Sequence, residues 1–303
     1  MSSFQKVGLL GKGFLGSAVL EQLVKAQFST TVLTRSQSAL KDVPSGVQVK
    51  EVDYTSIDSL KAALQGIDVV VSTVNAAAIP LQKLAIDASI AVGVKRFIPA
   101  DFGAVTTNPA AHFLPVIGHV VEIQKYLAEK VHAGDIEFTI FSVGGFLENQ
   151  FMRSVAVDWE NHTSTIYDGG HVPISFSTLP TVGRAVAAAL RKPAETKNRV
   201  VHVHDIVLTQ RKILEIAKKI VPGKTWTEAG AVDSEPELQG FLERARTEGM
   251  KPEFIFGIFK NMLLGKRYAS AYKSVDNELL GLGLKSEEDV VKFGAEIRQR
   301  SKL

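Results

Sequence analysis

The sequence of 303 residues contains no cysteine and no long apolar run. Without cysteine, a disulfide framework, a thiol nucleophile and a thiolate metal site are all excluded. No apolar run approaches the roughly 18–20 residues that a membrane-spanning helix needs. The N-terminus enters directly into an apolar, strand-like run and lacks a secretory pattern. We therefore expect an intracellular protein that is not inserted in a membrane.

An excess of one charge is also lacking. Lysine and arginine total 35 and aspartate and glutamate total 32, which gives a net charge of +3. No basic stripe or block stands out, so the sequence argues against a nucleic-acid partner. The hydrophobic fraction of 45% is ordinary for a globular protein, and the length fits one large domain or two joined ones.

Short apolar runs alternate with helical patterns over residues 1–140. Strands are predicted at 7–10, 30–33, 47–52, 68–74, 96–99 and 137–141. Helices are predicted at 17–27, 56–64, 80–91 and 116–133. This alternation predicts an α/β fold of the Rossmann-like type, a doubly wound parallel sheet covered by helices on both faces.

The alternation ends near residue 150. Beyond it, glycine and proline separate shorter elements, and two helical stretches at 210–220 and 236–248 do not repeat one another. We expect residues 1–150 to form the nucleotide-binding domain. Residues 151–303 are predicted to form a smaller, irregular α/β part that mainly binds substrate, packs on the first part and does not fold alone.

A glycine-rich loop lies between the first strand and the first helix. It reads Gly11-Lys12-Gly13-Phe14-Leu15-Gly16, a G-x-G-x-x-G pattern. In this position the pattern is typical of a dinucleotide site, because the turn needs a positive φ and the phosphates approach bare backbone. The pyrophosphate then binds N–H groups at the positive end of the helix dipole.

The residue type after the second strand indicates which dinucleotide binds. An NAD site places an acid about 20 residues past the glycines, where it binds the ribose 2′-hydroxyl. This sequence has Arg35 there, between Thr34 and Ser36. A guanidinium suits a 2′-phosphate, so the sequence predicts NADP(H), with Lys12 and Lys41 as further candidate cations. Asp53, after the third strand, either contacts adenine or caps the next helix.

Three segments together resemble the isoflavone reductase-like group of the NmrA-like family, which are atypical short-chain dehydrogenases. They are the glycine loop with Thr34-Arg35, the run Val71-Ser72-Thr73-Val74 with Gln82, and the run from Lys95 to Gly103. The resemblance implies an NADPH-binding fold with its active site in a cleft between two parts. It also implies cofactor contacts from Thr73, Val74, Asn75, Gln82 and Phe146. The sequence departs from the family pattern at Leu10, at Asn75 and at Ala100-Asp101.

By the same resemblance, a lysine nine residues before Gly134 is the catalytic acid/base, which is Lys125. A competing assignment is the pair Tyr126 and Lys130, because Tyr-x-x-x-Lys is the dyad of the wider dehydrogenase superfamily and residues four apart share a helix face. One residue rotates a side chain by ~100° about the helix axis, so Lys125 and Tyr126 cannot both face the cleft.

The function expected from these features is NADPH-dependent reduction of a small secondary metabolite, aromatic or heteroaromatic. A non-catalytic NADP-binding redox sensor is the main alternative, and an isomerase or cyclase that uses the bound dinucleotide is a third. No metal site is expected, since His202 and His204 lack a further converging ligand. A homodimer is compatible with the sequence, which does not fix the oligomeric state.

The last three residues, Ser301-Lys302-Leu303, match the tripeptide that the peroxisomal import receptor reads. We expect a peroxisomal location, and otherwise a cytoplasmic one. A fluorescent protein fused to the N-terminus should give punctate fluorescence, and deletion of Leu303 should make it diffuse. Diffuse fluorescence from both fusions contradicts the prediction.

Overall fold

The structure is a computed structural model that describes residues 4–38, 40–268 and 270–300. Within these residues the strands are β1 Lys6–Leu10, β2 Ser29–Thr34, β3 Gln48–Glu51, β4 Val69–Ser72, β5 Arg96–Ile98, β6 Glu137–Ser142, β7 Gly145–Phe146, β8 Thr163–Tyr167, β9 Ile174–Ser177, β10 Arg199–His202, β11 Ile206–Leu208 and β12 Thr227–Val232. The helices are α1 Phe14–Lys25, α2 Ile57–Leu64, α3 Gln82–Ala91, α4 Gly118–His132, α5 Leu147–Met152, α6 Leu179–Arg191, α7 Pro193–Thr196, α8 Gln210–Ile220, α9 Ser234–Glu248, α10 Pro252–Leu264, α11 Asn277–Leu280 and α12 Glu287–Arg300.

The main sheet has the strand order β10-β6-β5-β4-β1-β2-β3, and every neighbouring pair in it is parallel. The chain moves outward from β1 to β3, then returns to the other side of β1 with β4. A crevice opens at this reversal, outside the carboxyl ends of β1 and β4. The predicted Rossmann-like parallel sheet is confirmed.

Both faces of the sheet are covered, which explains why its central strands are almost wholly apolar. Val69 and Val71 of β4 pack in one cluster with α1 and α6, while Val70 packs on the other face with α2, α3 and α4. All three valines are fully buried. Alternate residues of a strand point to opposite faces, so a strand covered on both sides needs apolar residues at each position.

The first and third helices begin differently from the predictions. The first begins at Phe14, inside the glycine loop, with Gly13 as its N-cap. A 3₁₀ segment, Ala76–Leu81, precedes α3, which begins at Gln82. Both starts differ from the predictions by only a few residues, because apolar periodicity locates the body of a helix better than its ends.

The boundary predicted after residue 150 does not divide the chain in space. Helix α6 packs on α1, and β10 adds an outer strand to the nucleotide-binding sheet beside β6. Val182 and Val201 share a buried cluster with Leu9 of β1. The predicted boundary fails in space because α1 has an apolar surface, and α6, from the later part of the chain, covers it.

The remaining elements form the second part. Strands β11, β9 and β7 make one small sheet, while β12 and β8 pair in another. Their side chains pack with α5, α8 and α12 around Trp159 and Phe176. Because β7 directly follows β6, this part begins at the carboxyl edge of the main sheet, where the crevice lies.

No helix among the described residues is long and apolar enough to span a membrane. The tripeptide Ser301-Lys302-Leu303 lies outside the described residues, and its role stays a prediction.

The contact between α1 and α6 depends on Gly183, because a Cβ atom there would lie 2.6 Å from the backbone oxygen of Ala18. Backbone cannot move aside as a flexible side chain does. We therefore expect Gly183→Ala to lower the free energy of unfolding by about 1–3 kcal/mol in urea titrations. The matched control is Gly240→Ala in α9, where a Cβ meets nothing within 4 Å. The control should stabilise the protein by roughly 0.5–1 kcal/mol, and equal losses in both variants contradict this account.

Candidate active site

A cavity of about 500 Å³ occupies the crevice at the carboxyl ends of β1, β2 and β4. Its lining contains ten of the twelve predicted cofactor residues, namely Gly11, Lys12, Gly13, Phe14, Leu15, Arg35, Thr73, Val74, Asn75 and Phe146. It also contains residues that the sequence analysis did not select: Thr34, Leu40, Tyr54, Ala78, Ala100 and Phe102. The structure therefore brings residues from six separate segments into one site.

The three glycines of the loop serve different needs. Gly11 has a φ of +87°, which favours glycine at this turn. Gly13 faces the cavity, because a Cβ there would meet no protein atom within 4 Å. Gly16 is buried, and a Cβ on it would lie 2.6 Å from Oγ1 of Thr73. The loop thus leaves bare backbone beside the cavity at the start of α1, a cradle that fits a pyrophosphate.

The charge at the cavity is positive. Arg35 is exposed after β2, and Lys12 lies in the same lining. The ammonium of Lys12 donates a hydrogen bond of 2.6 Å to the backbone oxygen of Lys41, so the glycine loop is joined to the segment after β2. No carboxylate is found among the described residues of the lining. This arrangement fits a dinucleotide with an additional phosphate.

Two predicted cofactor residues, Gly16 and Gln82, do not line this cavity. Gln82 is 2% exposed, and its side-chain oxygen accepts a 2.7 Å hydrogen bond from the backbone N–H of Ala100. It therefore positions the loop after β5, which does line the cavity. Asp53 accepts two hydrogen bonds from Thr55 and lies outside the lining, so it organises the turn before α2.

A second cavity, of about 350 Å³, adjoins the first. The two share Phe102 and Phe146 as a common wall. The second cavity is bounded by the loop after β5, by α5 and by α10, and most of its lining is apolar. Its other lining residues are Gly103, Ala104, Val105, Thr106, Ile117, Gly144, Gly145, Asn149, Gln150, Arg153, Val155, Phe256, Phe259, Lys260, Met262 and Leu263.

The structure does not place Lys125 in the lining of either cavity, and proton transfer by Lys125 stays a prediction. Lys125 is exposed on α4, and Gln124, one residue earlier, faces inward. Gln124 donates 2.6 Å to the Asp101 carboxylate, which also accepts a hydrogen bond from Thr106. Burial raises the pKa of Asp101, and these two hydrogen bonds oppose the rise. The ~100° step between consecutive helical residues separates Lys125 from this network.

The pair Tyr126 and Lys130 also lies away from both cavities. The Tyr126 hydroxyl donates to the Asp87 carboxylate on α3, and Lys130 lies 3.7 Å from the same carboxylate. Burial and this hydrogen bond raise the pKa of Tyr126, the reverse of what a dehydrogenase tyrosine needs. The pair therefore links α4 to α3 through the Asp87 carboxylate.

Tyr272 is a residue that the sequence analysis missed. Its hydroxyl accepts hydrogen bonds from the backbone N–H of Gly144, at 2.6 Å, and from Ser142 Oγ, at 3.0 Å. It also lies 3.3 Å from the backbone oxygen of Ala104, to which it donates. Burial raises the pKa of Tyr272 to about 12, so it remains a neutral donor. It joins the two loops that frame the second cavity, and no motif marks it.

Comparisons with known proteins agree with this geometry. A model of the NAD(P)H-binding family matches residues 11–172. The oxidoreductase aprR of Aspergillus flavus is 32% identical over 88% of this chain and 89% of its own length. Pinoresinol reductase 1 of Arabidopsis thaliana is 23% identical over 69% of this chain and 71% of its own.

The chain belongs to the isoflavone reductase-like group of the NmrA-like family. Two solved structures share the fold of this chain. The leucoanthocyanidin reductase–NADPH complex from Vitis vinifera has a TM-score of 0.76, with 20% identity over 96% of this chain and 99% of the other. AtPrR2 with NADP+ and (+)-pinoresinol has a TM-score of 0.77, with 19% identity over 97% and 100% of the two chains. The predicted oxidoreductase class and nicotinamide dinucleotide cofactor are confirmed.

A buried carboxyl group supports the wall between the cavities. Glu148 lies between Phe146 and Asn149 at the start of α5 and is 3% exposed. One of its oxygens accepts a 2.8 Å hydrogen bond from the backbone N–H of Leu179, and the other has no hydrogen-bond partner among the described residues. Burial raises the pKa of Glu148 to about 7, and the nearby Asp205 carboxylate adds to the rise.

Because the folded protein holds the Glu148 proton up to about pH 7 and the unfolded chain releases it near pH 4.5, stability should fall as pH rises between these values. We expect this group alone to remove roughly 3 kcal/mol from the free energy of unfolding. Urea titrations across this pH range should show a shallower decline for Glu148→Gln than for the unmodified protein. Glu253→Gln, at an exposed position of α10, should retain the full decline. If the free energy of unfolding falls with pH equally steeply in all three proteins, the raised pKa of Glu148 is contradicted.

Proposed function

We propose that this protein is an NADPH-dependent reductase of a small aromatic or heteroaromatic metabolite. One observation carries the proposal: the cavity that fits a dinucleotide and the apolar cavity beside it share Phe102 and Phe146. A nicotinamide at that wall would face whatever occupies the second cavity. A site that only sensed the dinucleotide would need no second cavity, so this geometry favours turnover over the sensor.

The protein's own residues supply binding and orientation. The glycine loop, with Gly13 and the start of α1, would hold the pyrophosphate, while Arg35 and Lys12 would hold the 2′-phosphate. When bound, the reduced nicotinamide supplies a hydride. Phe102 and Phe146 would exclude water from the space where the two ligands meet.

The second cavity supports an aromatic substrate. Phenylalanine side chains from three segments line it, at positions 102, 146, 256 and 259. Aromatic rings pack favourably against one another at their edges and in offset stacks. Its volume of about 350 Å³ lies within the range usual for small-molecule sites. The related AtPrR2 structure contains (+)-pinoresinol, which is an aromatic compound of this general kind.

The choice of NADPH over NADH depends on Arg35. Charge-assisted hydrogen bonds to a phosphate contribute roughly 1.5–3 kcal/mol. We therefore expect Arg35→Ala to weaken NADPH binding by about 10- to 100-fold in calorimetric titrations, and to change NADH binding little.

Arg246→Ala serves as the control, because Arg246 lies on the exposed side of α9, paired with Glu243, outside both cavities. It should bind both dinucleotides as the unmodified protein does. An equal loss of NADPH and NADH affinity in Arg35→Ala would show that the guanidinium does not read the 2′-phosphate.

A further inference from the structure

A lysine with no assigned role lies in the wall of the second cavity. Lys260, on α10, is half-buried and belongs to the lining. Its Nζ atom lies 5.1 Å from the ring centre of Tyr167 and 6.0 Å from that of Phe256. Among the described residues it has no hydrogen bond and no ion pair within 4.0 Å. The aromatic faces attract the ammonium charge but leave its N–H donors available.

The surroundings of Lys260 do not supply a counter-charge inside the cavity. Among the described lining residues the charged side chains are Lys260 and Arg153, both cationic, with Arg153 exposed at the rim. Two carboxylates, Glu237 and Asp158, act on the ammonium through their charge, and both have other hydrogen-bond partners. Glu237 accepts a 2.7 Å hydrogen bond from Asn261, while Asp158 accepts one of 2.9 Å from the backbone N–H of Glu160.

A half-buried ammonium without a hydrogen-bond acceptor is energetically costly, since burial removes water that nothing replaces. Burial accordingly lowers the pKa of Lys260, and the more distant Glu237 and Asp158 oppose this change. An anionic oxygen on a ligand would remove the cost, because it would give the ammonium both a partner and a counter-charge.

We propose that the substrate cavity selects aromatic compounds that carry a strongly acidic group such as a carboxylate, and that Lys260 binds the anionic oxygen of this group. The inference rests on the proposed function to the extent that this cavity is the substrate site. The aromatic rings at the cavity would hold the planar part of the ligand, and Arg153 at the rim would add to the attraction of an anion.

Two fluorescent probes of similar shape separate charge from apolar packing. The anionic probe is 8-anilino-1-naphthalenesulfonate, and the neutral one is N-phenyl-1-naphthylamine. Both probes are titrated into protein that already contains saturating NADP+, because the bound NADP+ keeps the probes out of the cofactor cavity. The variants are Lys260→Met, which keeps the length of the side chain but not its charge, and Lys260→Arg, which keeps the charge. Lys219→Met, at an exposed position of α8, is the control.

We expect Lys260→Met to weaken binding of the sulfonate probe by about 10- to 100-fold and to leave binding of the neutral probe within threefold. Lys260→Arg should restore most of the loss, and Lys219→Met should change neither probe. If Lys260→Met binds the sulfonate probe as tightly as the unmodified protein does, the proposal is overturned. It is also overturned if Lys260→Met loses affinity for both probes equally while its melting temperature is unchanged. A separate NADP+ titration tests the proposed function. The probe titrations are also run without NADP+, so that a failure of NADP+ to bind does not affect the comparison of the Lys260 variants.

Discussion

The site depends on the close packing of three backbone segments where β1, α1 and β4 meet. Thr73, directly after β4, donates hydrogen bonds to the backbone oxygens of Gly11, at 2.7 Å, and Leu10, at 3.2 Å. Gly16 lies against the same hydroxyl, with no room for a Cβ atom. This packing fixes the start of α1 over the crevice, so the free N–H groups of its first turn point at one place.

The second part of the chain adds a second cavity beside this nucleotide crevice. Phe146 belongs to β7, which leaves the main sheet after β6, and it contributes to both cavities. Tyr272, far along the chain, ties the loops after β5 and β6 through a single hydroxyl. The nucleotide-binding sheet in turn needs the later segments α6 and β10 to cover it. Neither part is therefore complete without the other.

Local patterns selected ten of the residues that line the first cavity. The glycine loop and Arg35 were identified because their chemistry depends on short spacings around one turn and one strand end. Lys125, which was expected to transfer the proton, lies outside the lining of both cavities, because its direction depends on the rotation of α4 and a difference of one residue moves a side chain by ~100°. Gln124, in contact with Asp101, occupies the inward position that Lys125 was expected to take.

By itself, the sequence determined the parallel sheet, the glycine loop and the positive charge at the end of the second strand, because each follows from residues that are neighbours along the chain. Only the tertiary structure decided which residues face the second cavity. Phe102, Phe146 and Lys260 come from distant segments, and their meeting depends on how α5 and α10 pack against the carboxyl edge of the sheet. Packing between elements that are far apart in sequence leaves no periodic pattern in any one of them.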